Sequence, residues 1–164
     1  NLSGALTQLS CYNNSLTSLD VSGLTALTRL FCYNNSLTSL DVSGLTALTQ
    51  LSCNSNSLAS LDVSGLTALA ELFCNNNSLT SLRAVGVPGS PDYGTTASTY
   101  TTYSLAGVMA ANNSLDAAAL NQLYADLADN SGGDYSLVFV GGNPGTTGDD
   151  PTIATAKNWI VLES

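Results

Sequence analysis

Residues 30–48 read LFCYNNSLTSLDVSGLTAL, and nearly the same words recur around Cys11, Cys53 and Cys74, so that the chain's cysteines fall 21 residues apart. A recurrence of that length is one structural unit copied in series. Within TRLFCYN, residues 28–34, Leu30 and Cys32 alternate with Arg29, Phe31 and Tyr33, the period-two signature of a short strand. SLDVSG, residues 39–44, alternates again, with Leu40 and Val42 on one side and Asp41 on the other. Such a coil cannot bury its own apolar side. Stacking coils buries a continuous core between them and sets the strands parallel.

The pattern LxxLxCxxNxL, filled by Leu27, Leu30, Cys32, Asn35 and Leu37 and followed by LDVSGLTA, resembles the leucine-rich repeat in its short bacterial form, found in surface proteins of the internalin and BspA-like groups. The resemblance covers residues 2–82. It implies an α/β solenoid, right-handed, with one parallel sheet of about seven strands. It also implies a non-enzymatic extracellular or cell-surface protein whose exposed sheet face binds a protein or other surface macromolecule.

The template extends past the regular repeats. Leu105, Val108, Ala110, Asn113 and Leu115 fill it once more, Val138, Val140 and Asn143 fill it again, and Trp159 and Val161 follow Val138 and Val140 by 21 residues. The chain therefore reads as a single domain, 1–164, with regular repeats at 2–82, a Thr/Tyr/Gly-rich surface insertion at 83–104 and irregular repeats at 105–164. Residues 116–128 place Leu120, Leu123, Tyr124 and Leu127 on one helical face with Asp116 as the cap, and a short helix starts at Pro151; both helices belong on the outer side.

Composition removes several functions. The chain has 164 residues, 3 Lys+Arg against 12 Asp+Glu, and a net charge of −9, which argues against nucleic acid and anionic membrane as partners. No apolar run approaches the roughly 20 residues that cross a bilayer. Histidine is absent, and with it every triad or metal site built on imidazole.

The recurring Cys, Asn and Asp form three columns. In-register strands hold equivalent Cβ atoms about 4.8 Å apart and parallel, too far and wrongly aimed for disulfides, and four thiols in a row span about 14 Å and cannot surround one zinc ion. Ala110, Val140 and Val161 take the same place, so the thiols read as buried core, with no metal or cofactor. Asn14, Asn35, Asn56, Asn77, Asn113 and Asn143 stand where each coil turns, and read as satisfying the turn's backbone; the acceptor-like triplets beginning at Asn13, Asn34, Asn76 and Asn112 leave glycan attachment as an alternative. Asp20, Asp41 and Asp62, with Arg83 next in line, read as a structural column on the outer edge. A bound cation and a glycosidase pair are the alternatives, although identical environments do not separate two carboxylate pKa values.

Function is then expected on what varies. Ser10, Phe31, Ser52, Phe73, Met109, Phe139 and Ile160 form the middle outward column of the sheet, flanked by Arg29 and Glu71 on one side and Tyr33 on the other. Arg29, Phe31, Tyr33, Glu71, Phe73, Met109, Phe139 and Ile160 are the expected partner-binding residues. The alternative is a structural subunit assembling head-to-tail into an extracellular filament through Leu6, Leu9, Cys11 and Leu16 at one end and Trp159 and Val161 at the other; Leu19 and Val21 are expected to face outward with the first group.

Overall fold

A computed structural model describes residues 6–85, 107–127, 136–156 and 159–163. The insertion expected at 83–104 lies outside these beyond Val85. One strand per coil builds a seven-stranded sheet: β1 (Gln8–Ser10), β2 (Arg29–Phe31), β3 (Gln50–Ser52), β5 (Glu71–Phe73), β7 (Gly107–Met109), β8 (Ser136–Phe139) and β9 (Trp159–Leu162), in that spatial order. All neighbours are parallel, and Leu9, Leu30, Leu51, Leu72, Val108, Val138 and Val161 stand in one register. The expected α/β leucine-rich repeat solenoid is the observed architecture.

A second sheet is added to it. β4 (Ser60–Asp62) and β6 (Ser81–Arg83) pair in parallel on the outer segments, with Leu61 and Leu82 inward and Asp62 opposite Arg83. Between the sheets lies the core, where Leu27, Leu30, Leu37, Leu48, Leu51, Leu58, Leu69, Leu72 and Leu79 are fully buried together with Cys32, Cys53 and Cys74. Each buried leucine contributes about 1.5–3 kcal/mol, so the stack of coils supplies most of the fold's stability.

After Leu115 the outer strand is replaced by α1 (Ala117–Asp126), which packs against β6. Asp116 caps it by accepting from the Ala119 N–H at 2.8 Å, and Leu120, Leu123, Tyr124 and Leu127 are buried as the helical spacing predicts. A 3-10 turn (Pro144–Thr147) and one turn of helix, α2 (Thr152–Thr155), follow, with Pro151 immediately before α2. The 3-10 turn crosses α1 closely at Gly145, where a Cβ would come within 2.2 Å of the Asp116 carbonyl carbon. Only glycine fits there.

One expectation is corrected. Val138 pairs with Val161, not with Trp159, so β9 sits two positions from the 21-residue spacing. The connection from β8 contains helical turns, which advance about 1.5–2.0 Å per residue against about 3.3 Å in extended chain, and it uses more residues to return to the sheet. Ile160 therefore lies beside Leu137 in the Arg29 column, and Leu162 takes the place beside Phe139.

Candidate functional site

The asparagine column is scaffold, and it does more than close its own turn. The Asn35 amide donates to the Cys32 carbonyl at 3.0 Å and to the Cys11 carbonyl, one coil earlier, at 3.0 Å, while its Oδ1 accepts from the Leu16 N–H at 3.0 Å. Asn56, Asn77, Asn113 and Asn143 repeat this three-way bracket on the coil before each of them. The residues just ahead, Asn13, Asn34, Ser55, Asn76 and Asn112, adopt left-handed backbone with φ of 52–55°. Asparagine tolerates that region better than most residues, which accounts for the doubled NN.

The thiols line the core unpaired. Cys32, Cys53 and Cys74 are buried and free, and burial pushes Cys32 and Cys74 up to about 12, so they are not nucleophiles at neutral pH. The aspartates act as local acceptors: Asp20, Asp41 and Asp62 take the N–H of Ser22, Ser43 and Ser64 at 2.8–2.9 Å. Among the described residues no group of three or more Cys, Asp or Glu side chains is arranged to hold a metal ion.

Arg83 stands opposite Asp62 at the end of the aspartate column, as the sequence places it, but its hydrogen bonds go elsewhere. Its guanidinium meets Asp126 of α1, Nε to Oδ2 at 2.5 Å and Nη2 to Oδ1 at 3.1 Å. Asp126 also accepts from the Ala84 N–H at 3.3 Å and from Gln122 at 2.8 Å. This buried carboxylate docks the helix on the outer sheet. Sequence reasoning missed it because Asp126 sits on a helix whose partner strand is 43 residues away.

The variable outward face remains. In its middle column Phe31, Phe73, Met109 and Phe139 are half-buried and Ser52 is buried, whereas Leu162, which the sequence spacing did not place here, is 38% exposed. Ile160, in the next column, is 39% exposed. Arg29 is exposed, and Glu71 is half-buried and accepts from Gln50 Nε2 at 2.5 Å. Desolvation raises the Glu71 pKa above the usual carboxylate range against the opposing pull of Gln50 and Arg29. Tyr33 stacks on Tyr12 with ring centroids 4.6 Å apart and planes 4° from parallel.

At the first coil Leu6 is 37% exposed and Leu9, Cys11 and Leu16 are partly buried, while their counterparts Leu30, Cys32 and Leu37 are fully buried. Val21, expected to face outward, is 1% exposed and packs into the core. At the other end Val161 packs partly against the core, and nothing is described of the Trp159 side chain.

Leucine ladder, asparagine turns and parallel in-register strands together make this chain a leucine-rich repeat solenoid. It is similar to the functional domain of InlJ from Listeria monocytogenes, which includes a cysteine ladder, at 30% identity and a TM-score of 0.49 over 94% of this chain. The chain spans 39% of the length of that protein. No protein-family model and no curated protein matches it.

Proposed function

We propose that this chain is a non-enzymatic module that binds a protein partner on the sheet face, at an extracellular or cell-surface location that accords with the resemblance of its repeats to bacterial surface proteins. The carrying observation is the apolar patch at β7–β9: Met109, Phe139 and Leu162 stand in register, and Ile160 and Leu162 point into solvent side by side on one strand. An apolar centre with a polar rim of Arg29, Gln50 and Glu71 has the makeup of a protein interface. Partner capture followed by reconstitution with the purified partner tests this reading. The pair Ile160→Asp and Leu162→Asp abolishes the reconstituted complex, and Ser39→Asp on the outer edge leaves it intact. A complex unaffected by the two aspartates refutes the reading.

One observation favours a second reading, head-to-tail assembly with another copy: Leu9, Cys11 and Leu16 are only partly buried. Sedimentation against concentration tests it. Assembly should rise with concentration and be lost in Leu9→Asp, and a species that stays monomeric at all concentrations removes it.

A further inference from the structure

The N-terminal half of the same face differs in chemistry from the apolar patch. Its middle column alternates Ser10, Phe31, Ser52 and Phe73, so the phenyl rings stand on every second coil. Two strand spacings are about 9.6 Å, close to the length of one disaccharide in an extended β-linked polysaccharide. Ser52 faces outward on the surface yet is only 7% exposed, flanked on both sides by a phenylalanine-bearing strand. The rings thus alternate with covered small residues and do not pile into a closed stack.

Polar rails run beside the phenyl column. Along β5 and its continuation Phe73 lies between Glu71 and Asn75, and on the neighbouring coil Ser52 lies between Gln50 and Asn54. The Gln50–Glu71 hydrogen bond, Gln50 Nε2 donating to Glu71 Oε2, fixes that rail. Along a strand the outward positions are about 6.6 Å apart, so Glu71 and Asn75 bracket Phe73, while Arg29 and Tyr33, stacked on Tyr12, bracket Phe31. A pyranose presents an apolar C–H face and equatorial hydroxyls that both donate and accept. The electron-rich face of phenylalanine suits the first, and planar amides and a carboxylate suit the second. Partial burial of Glu71 strengthens the bonds it accepts.

We infer that the Phe31–Phe73 column, railed by Gln50, Glu71, Asn54 and Asn75, binds an extended β-linked polysaccharide lying along the solenoid axis, one disaccharide per two coils. This site adjoins the protein-docking patch at β7–β9 and shares Gln50 and Glu71 with its rim, but it is argued from the Phe31–Phe73 spacing and not from that patch.

Affinity electrophoresis of the intact chain in gels containing hydroxyethylcellulose, glucomannan, xylan or glycol chitin, with dextran as the α-linked control, tests the inference. Retardation is expected with at least one β-linked polymer and not with dextran. Phe73→Ala should weaken it at least tenfold. Ser52→Phe, which removes no contact group but forces a third ring between the two and displaces them, should weaken it comparably, and Ile160→Asp should not change it. Circular dichroism checks that each variant is folded. The inference is overturned if the folded wild type migrates alike in all gels, if dextran retards it equally, if retardation survives in Ser52→Phe, or if Phe31 and Phe73 prove to be contacts for a protein and no polysaccharide binds.

Discussion

The side chain of Asn56 holds the backbone of Leu37, one coil earlier, by accepting its N–H at 3.0 Å, and at the same time donates to the carbonyls of Cys53 and Cys32 at 3.0 and 3.1 Å. One carboxamide therefore satisfies backbone groups of two coils that no strand ladder reaches. Replacement by alanine leaves these groups unpaired at about 1–3 kcal/mol each where they are buried. Asn56→Ala should lose at least about 2 kcal/mol in urea denaturation. Asn14→Ala should lose less than about 1 kcal/mol, because the Asn14 side chain is exposed and bonds only within its own turn. Equal losses at the two positions would show that the bracket between coils contributes nothing.

Removing the Arg83 guanidinium strands a carboxylate whose side chain is 5% exposed. The Arg83 side chain is 43% exposed, so Arg83→Met should destabilise the fold, though by less than the loss of a fully buried pair would. Adding Asp126→Asn should recover part of that loss. Thermal unfolding of the two variants measures it, and no recovery in the double variant would mean that the guanidinium contributes by packing and not by charge.

Thiol reactivity should follow depth. At pH 8 the native chain should react with an aromatic disulfide reagent first at Cys11, which is half-buried, and not on the same timescale at Cys32, Cys53 or Cys74, whose burial raises their pKa values. All four react in denaturant. Fast labelling of Cys53 in the native chain would contradict the buried ladder.

Acid should weaken the outer edge. Hydrogen bonds lower the Asp20 and Asp62 pKa values, chiefly through the hydroxyls of Ser22 and Ser64, and the Asp41 value chiefly through the Ser43 N–H, all from 3.8. A depressed folded-state pKa contributes stability that is present above the unfolded value and lost as pH falls through the folded one. Stability should thus decline below about pH 4. Asp41→Asn, which keeps an acceptor for Ser43, should flatten the decline. Glu71 has the opposite sign: its raised pKa favours the folded state once it is protonated, so Glu71→Gln should remove a small gain on acidification through its folded-state pKa. Urea titrations between pH 3 and 7 separate the two.

Much of this molecule could be read from the repeats because each coil repeats the same inward positions. Cys32, Asn35 and Leu37 declared their roles by recurring, and α1 by the spacing of Leu120, Leu123, Tyr124 and Leu127. The contacts that escaped are those made once. Arg83–Asp126 joins a strand to a helix across the insertion, and no period points to it. The β9 register escaped because the 21-residue period holds only while the outer segment stays extended, and α2 changes the length of the last coil. On the outward face, the sequence placed Phe31, Phe73, Met109 and Phe139 in one column as found, but put Ile160 where Leu162 stands. That two-position shift slides Ile160 and Leu162 one outward column along the last strand.

From Asn35 onward the amide of every ladder asparagine grips the coil one step back and not two. Every seam between regular coils is therefore interchangeable with the next. If the gene misaligned on its own near-identical copies and dropped residues 43–63, Asn77 would meet the carbonyl of Cys32 as it now meets that of Cys53. The shortened chain would close with its brackets intact, while Phe31 and Phe73 would become neighbours without Ser52 between them. Recombination could thus retune the surface in whole-coil increments and leave the folding code untouched.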